Sequence, residues 1–110
     1  TRKGFQRADV RILVGGQPAV KVCSRGELKV LVWGMMLAQG VMQTSQDILY
    51  LVDDLASEFD AGHRQRVCRF LRQSGQQVLM TGVEPEILKA ASEDSFERMF
   101  HVKQGVIQET

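Results

Sequence analysis

Residues 48–60 read ILYLVDDLASEFD. Five mostly apolar residues, Ile48 to Val52, run straight into Asp53 and Asp54. Glu58 and Asp60 follow, with no lysine or arginine among them. A short continuous apolar run predicts a strand of a parallel sheet, buried on both faces. Carboxylates at the C-terminal end of such a strand stand at the sheet edge where α/β folds bind ligands. Like charges at this density repel, so the segment calls for a compensating group. Two readings meet that need. In one, an aspartate holds Mg²⁺ directly or through water, and the ion bridges phosphate oxygens. A neighbouring carboxylate then orients or deprotonates an attacking water, as in the Walker B element of nucleotide hydrolases. In the other, the segment is an acidic loop whose Asp60 caps the helix beginning at Ala61.

Strands and helices alternate on either side. Val10 to Val14 and Ala19 to Cys23 flank Gly15-Gly16, which predicts a β-hairpin turned by two glycines at positive φ. Ser24 suits a helix N-cap with Glu27 as its capping-box partner, and the helix should run from about Arg25 to Met42. That helix is apolar nearly all round, so it is expected at the centre of the core, with Trp33, Met35, Met36 and Met42 packed inside. Downstream, Ala61 to Gln73 reads as an amphipathic helix ended by Ser74-Gly75. Gln77 to Thr81 reads as a second short strand. Pro85 suits the first position of a helix that continues through Ala91. Met99 to Val102 and Val106 to Gln108, around Gln104-Gly105, predict a closing hairpin. The fold class is therefore α/β, with a mainly parallel sheet and β-hairpins near both ends.

The 110 residues suffice for one domain, or part of one, with a single core. The formal net charge of +1 points to neither nucleic acid nor membrane, but its distribution is uneven. Thr1 to Val30 holds seven Lys/Arg against two acids, Gln43 to Gly62 five acids and no base, and His63 to Arg72 four arginines and no acid. Arg64, Arg66, Arg69 and Arg72, with Arg2, Lys3, Arg7 and Arg11, are candidates for DNA phosphate contacts. A solvated helix face is the simpler account of the arginine run, and no aromatic residues are interleaved to stack bases. Cys23 and Cys68 lack metal-ligand spacing and read as reduced thiols of a cytoplasmic protein. His63 and His101 read as surface or interface residues. The uncharged run from Val30 to Gln46 is too short and interrupted to span a bilayer.

A second anion-binding feature precedes the acidic one. In CSRGELK, Cys23 to Lys29, a serine and a glycine at a helix start leave backbone N–H groups open to an anion, and Arg25 and Lys29 add positive charge. Alone it is only a good N-cap. Paired with a strand ending in two acids one helix length later, it acquires meaning. The order of hairpin, SRGELK, apolar helix, LYLVDDLASEFD, helix and strand resembles the C-terminal part of the RecF family of SMC-related, ABC-type ATPases. Ser24, Arg25, Gly26 and Glu27 resemble the ABC signature motif, and Asp53 resembles the Walker B aspartate. Asp54 stands where most ABC ATPases place a catalytic glutamate. Ser57 to Asp60 resembles the D-loop, and MFHVKQGVIQ the family's last hairpin.

The resemblance implies a bacterial recombinational-repair protein that binds ATP, Mg²⁺ and DNA. It implies an ATP-clamped homodimer working with RecO and RecR. Asp53 would hold the metal and Asp54 would polarise water. Ser24, Arg25, Gly26, Glu27, Lys29, Ser57 and Asp60 would serve the nucleotide across the dimer. Two departures stand out. Thr81 and Gly82 occupy the place of the usual histidine, and Glu27 replaces a commoner glutamine. No Walker A sequence occurs, so residues 1–110 read as the segment of an ABC-type ATPase domain that carries signature, Walker B and D-loop. The other class of reading is a stand-alone Mg²⁺-binding or protein-interaction module, for instance receiver-like. The order of elements argues against it, because that fold wants its acidic pair after the first strand. P-loop amides and lysine supply most phosphate binding, so the 110-residue chain alone should neither bind ATP well nor hydrolyse it. Measurable turnover of radiolabelled ATP by the purified chain would overturn that expectation.

Overall fold

The computed structural model describes residues 9–43 and 46–110. It divides into two compact units, Thr1–Gln39 and Gly40–Thr110. The basic positions Arg2, Lys3 and Arg7 lie outside the described residues.

In the first unit, β1 (Leu13–Val14) and β2 (Gln17–Pro18) pair antiparallel, Leu13 opposite Pro18 and Val14 opposite Gln17. Gly15 and Gly16 have φ of 58° and 81°, the left-handed pair that a two-residue hairpin turn of matching twist needs. The strand expected over 19–23 is absent; Ala19–Val22 forms a single helical turn, α1. Pro18 has no N–H, and Ala19 N–H makes the last rung, donating to the Ile12 carbonyl at 2.9 Å. The chain then closes on itself, Cys23 N–H donating to the Ala19 carbonyl at 2.9 Å. This turn buries Ala19 and leaves Val20 exposed.

Helix α2 spans Arg25–Met42, as the sequence predicts. Its start is a reciprocal capping box: Glu27 N–H donates to Ser24 Oγ at 3.2 Å, and Ser24 N–H donates to Glu27 Oε1 at 2.9 Å. Its expected place at the centre of the core is not observed. None of its residues is buried, Met35, Met36 and Met42 are exposed, and Trp33 is half-buried. A helix apolar on every side needs neighbours on every side, and the described residues do not surround it.

The second unit is a strand–helix–strand arrangement followed by a helix and a hairpin. Strand β3 (Leu49–Val52) pairs in parallel with β4 (Gln77–Met80), in register from Leu49 opposite Gln77 to Val52 opposite Met80. Between them lie α3 (Leu55–Glu58) and α4 (Ala61–Gln73). A parallel pair needs such a crossover, because no tight turn can return the chain to the same end. The sheet is covered on one face, not on both as expected. Val52 is buried and Tyr50, Val78 and Met80 are half-buried, while Leu49, Leu51 and Leu79 are exposed. The period-two alternation of a strand sends these two sets to opposite faces.

Helix α4 ends at Ser74, with Gly75 at φ 69° carrying the chain out of the helix. Pro85 opens α5 (Pro85–Ser92), where its missing N–H costs no helical bond. Strands β5 (Phe100–Lys103) and β6 (Val106–Glu109) close the described chain as an antiparallel hairpin around Gln104-Gly105. The bounds of β3 to β6 differ from their predicted ranges by one residue, within ordinary boundary scatter, whereas β1 starts three residues later than predicted.

The buried apolar side chains of this unit are Val52, Leu55, Phe59, Cys68, Leu71 and Ala91, contributed by β3, α3, the residue after it, α4 and α5. Leu55, one residue past the acidic pair, is the only large side chain fully enclosed among the described residues. It anchors the segment that carries the carboxylates. Leu55→Ala should therefore destabilise the unit by about 2–5 kcal/mol, and Leu55→Met, of similar volume, by less than about 1.5 kcal/mol. The shift in the urea unfolding midpoint measures both.

Candidate functional site: a carboxylate pair at a parallel strand end

The backbone rungs continue one step past the last paired residues of β3 and β4. Thr81 N–H donates to the Val52 carbonyl at 2.9 Å, and Asp54 N–H donates to the Thr81 carbonyl at 3.2 Å. The strand then breaks at Asp54, which adopts the left-handed conformation, φ 49° and ψ 57°. Aspartate tolerates this region better than most residues but still prefers others. Local bonds hold it there. Asp54 N–H also reaches Thr81 Oγ1 at 3.2 Å, and the Asp54 carbonyl accepts from Ser57 N–H at 3.1 Å and Ser57 Oγ at 2.9 Å. Asp54 thus stands at the N-terminus of α3 and caps it through its carbonyl, with no cap bond from its carboxylate.

Asp53 is exposed and Asp54 half-buried. Thr81 Oγ1 donates to Asp53 Oδ1 at 2.5 Å. One hydroxyl therefore touches both members of the pair, as donor to the carboxylate of Asp53 and acceptor from the amide of Asp54. In the sequence Thr81 stands at the end of the second strand and in the place of the usual histidine, and neither position marks it as a partner of the aspartates. The signal that finds it is register: two parallel strands of equal length that end together put the residues just past their ends side by side.

Asp60 acts as a helix cap, the simpler of the roles its sequence context suggests. Its Oδ1 accepts from His63 N–H at 2.9 Å and lies 2.9 Å from His63 Nδ1. The donated backbone N–H, with the His63 ring second, holds the Asp60 carboxyl below its usual range. The side chain remains 72% exposed. Arg64 Nε donates to the Phe59 carbonyl at 2.6 Å, and the Phe59 and His63 rings stack at 5.8 Å. The 57–64 turn is therefore tightly bonded to itself. In the first unit, Ser24, Arg25, Gly26, Glu27 and Lys29 form the opening turn of α2, all exposed. The Ser24 N–H and hydroxyl both hold the Glu27 carboxyl below the usual glutamate range. Glu27 is engaged as a capping acceptor.

Two carboxylates present hard oxygen donors, and no group of three or more His, Cys, Asp or Glu forms a metal cage among the described residues. This set fits Mg²⁺, which takes one or two carboxylates and fills its shell with water and phosphate oxygens. The arginines of α4 are partly committed within the unit. Arg69 donates to Glu93 Oε1 through Nε at 2.8 Å and Nη2 at 2.5 Å, Arg72 approaches Glu93 at 3.9 Å, and Arg64 holds the Phe59 carbonyl. No helix among the described residues is long and apolar enough to cross a membrane.

A carboxylate pair at the C-terminal end of a parallel strand lies at the sheet edge where open α/β folds bind ligands. No protein-family model matches the chain. Among curated proteins, it is 41% identical over 110 residues to the DNA replication and repair protein RecF of Shewanella frigidimarina, covering 97% of this chain and 31% of that protein. It is 44% identical over 108 residues to RecF of Shewanella sp. (strain MR-4), covering 96% of this chain and 30% of that protein. The similarity to these RecF proteins runs along 96–97% of the chain. It spans about 30% of the length of the curated relatives it matches.

The cap at Asp60 gives a prediction with a definite sign. A carboxyl held below its ordinary value in the folded chain contributes stability above that value and loses it as pH falls through the depressed one. The amide resonance of His63, followed by NMR on lowering the pH, should shift with a midpoint below the ordinary aspartate value of 3.8. In Asp60→Asn that transition should disappear.

Proposed function

We propose that this chain is the C-terminal segment of a RecF-like ATP- and DNA-binding protein of DNA replication and repair. The observation that carries the reading is its homology to RecF proteins over 96–97% of its length. The geometry of the acidic pair supports it. In the intact protein Asp53 would hold Mg²⁺, which would supply positive charge to neutralise the nucleotide phosphates. Asp54, half-buried and fixed in backbone conformation, accepts a hydrogen bond from the attacking water and orients it. Ser24, Arg25 and Gly26 turn the open N–H groups and positive end of α2 toward a phosphate, with Lys29 adding charge one turn later. Glu27 serves this end of the helix by fixing the cap, since its carboxylate is engaged with Ser24.

The site is composite. This chain supplies signature, Walker B and D-loop, and a Walker A segment of the intact protein supplies the phosphate cradle. Two protomers close head to tail on ATP, and the exposed Ser57 and Asp60 face the partner. The clamp acts on DNA with the RecO and RecR partners to help load the recombinase RecA, in the cytoplasm.

Three measurements test the reading on the intact protein. Asp54→Asn should slow ATP hydrolysis by about 10²–10⁴-fold, the usual effect of losing a general base, while fluorescent ATP analogues still bind. Ser24→Arg should abolish ATP-dependent dimerisation in analytical ultracentrifugation; a dimer that persists would remove the signature assignment. Sequencing of the coding DNA upstream of Thr1 should reveal a P-loop, and a start codon at Thr1 would favour a stand-alone module.

A further inference from the structure

The Thr81 hydroxyl makes two bonds that no other side chain duplicates among the described residues. It donates to Asp53 Oδ1 at 2.5 Å and accepts from Asp54 N–H at 3.2 Å. We propose that Thr81 is a positioning residue for the acidic pair, setting the carboxylate of Asp53 and the backbone of Asp54 with one oxygen. The inference rests on the proposed ATPase reading and adds a residue to it.

The argument starts from what each aspartate lacks. Asp53 is exposed, and a free carboxylate on an exposed strand end samples several rotamers. Its partner among the described residues is Thr81, which occupies Oδ1 and leaves Oδ2 for a cation. An oxygen bonded by a neutral hydroxyl keeps its charge, so orientation is gained without neutralising the carboxylate. Asp54 sits in a left-handed conformation that aspartate does not prefer. Its N–H divides between the Thr81 carbonyl and the Thr81 hydroxyl, both at 3.2 Å. Two long bonds share the work of one good one. Removing the hydroxyl would leave the Asp54 amide a single long bond at the point where the strand breaks. The proton arrangement is also fixed. A hydroxyl has one proton, and it goes to the Asp53 carboxylate, so the oxygen lone pairs are what the Asp54 amide meets. Threonine is stiff at χ1 because of its β-branch, which suits a residue that must point one way.

Groups that orient metal-ligating carboxylates typically influence activity or metal affinity by about 10–100-fold. In the intact protein Thr81→Val, nearly isosteric, should lower kcat for ATP by that factor while ATP affinity changes by less than about twofold. A second readout needs neither nucleotide nor metal. Hydrogen exchange of the peptide spanning residues 49–60 should accelerate in metal-free Thr81→Val. Thr81→Ser, which keeps the hydroxyl, should restore both. Thr81→Ala removes the oxygen without adding a methyl in its place, and it must reproduce both losses should the valine variant fail to fold. Wild-type exchange and turnover in the valine or alanine variants would overturn the proposal, as would a serine variant as impaired as valine. Failure of the ATPase reading is separately visible, because Asp54→Asn would then leave hydrolysis unchanged whatever the Thr81 variants do to exchange.

Discussion

The second unit depends on a parallel pairing in which β3 and β4 end together. A parallel ladder has evenly spaced rungs, so the last ones fall between Val52, Thr81 and Asp54. From that alignment the rest follows. Asp54 leaves the strand in a left-handed conformation, Leu55 drops directly into the core, and α3 starts from the Asp54 carbonyl. Moving the pairing by one residue would turn Val52 to the outer face and carry Thr81 away from the aspartates. Burial of Leu55 and bonding by Thr81 thus fix the same short segment from its two sides.

The charge in that segment is balanced in different ways at different positions. Asp60 accepts from a helix start and the His63 ring. Asp53 takes a hydroxyl on one oxygen only. Asp54 caps α3 through its carbonyl and not through its carboxylate. At the strand end, Asp53 Oδ2 and the Asp54 carboxylate cap no helix. This division separates structural acids from the pair assigned to a metal and a water in the proposed function.

Much of the fold was legible in the sequence, because local rules govern it. The Ser24–Glu27 capping box, the extents of α2 and α4, the exit at Gly75, Pro85 at a helix start and both glycine-containing turns depend on residues three or four positions apart. Where the reading failed, the cause was non-local. Ala19 to Cys23 alternates like a strand, yet the ladder ends beside Pro18 and the chain folds into a turn. Ile48 to Val52 and the 25–42 helix carry the apolar pattern of segments enclosed on all sides, while Leu49, Leu51 and the methionines of α2 are exposed in this chain. Their composition matches surroundings larger than the described residues supply, consistent with a chain about 30% as long as its relatives.

The candidate site divides along the same line. The sequence by itself determined that two acids follow a parallel strand, that Ser24 and Glu27 open a helix, and that Asp60 precedes one. These are statements about neighbours in the chain, which spacing and backbone periodicity fix. Only tertiary structure decided that Thr81, 27 and 28 residues beyond the acidic pair, bonds both its members. That contact comes from strand register, which is settled by which side chains a sheet buries against its helices, and no spacing along the chain encodes it.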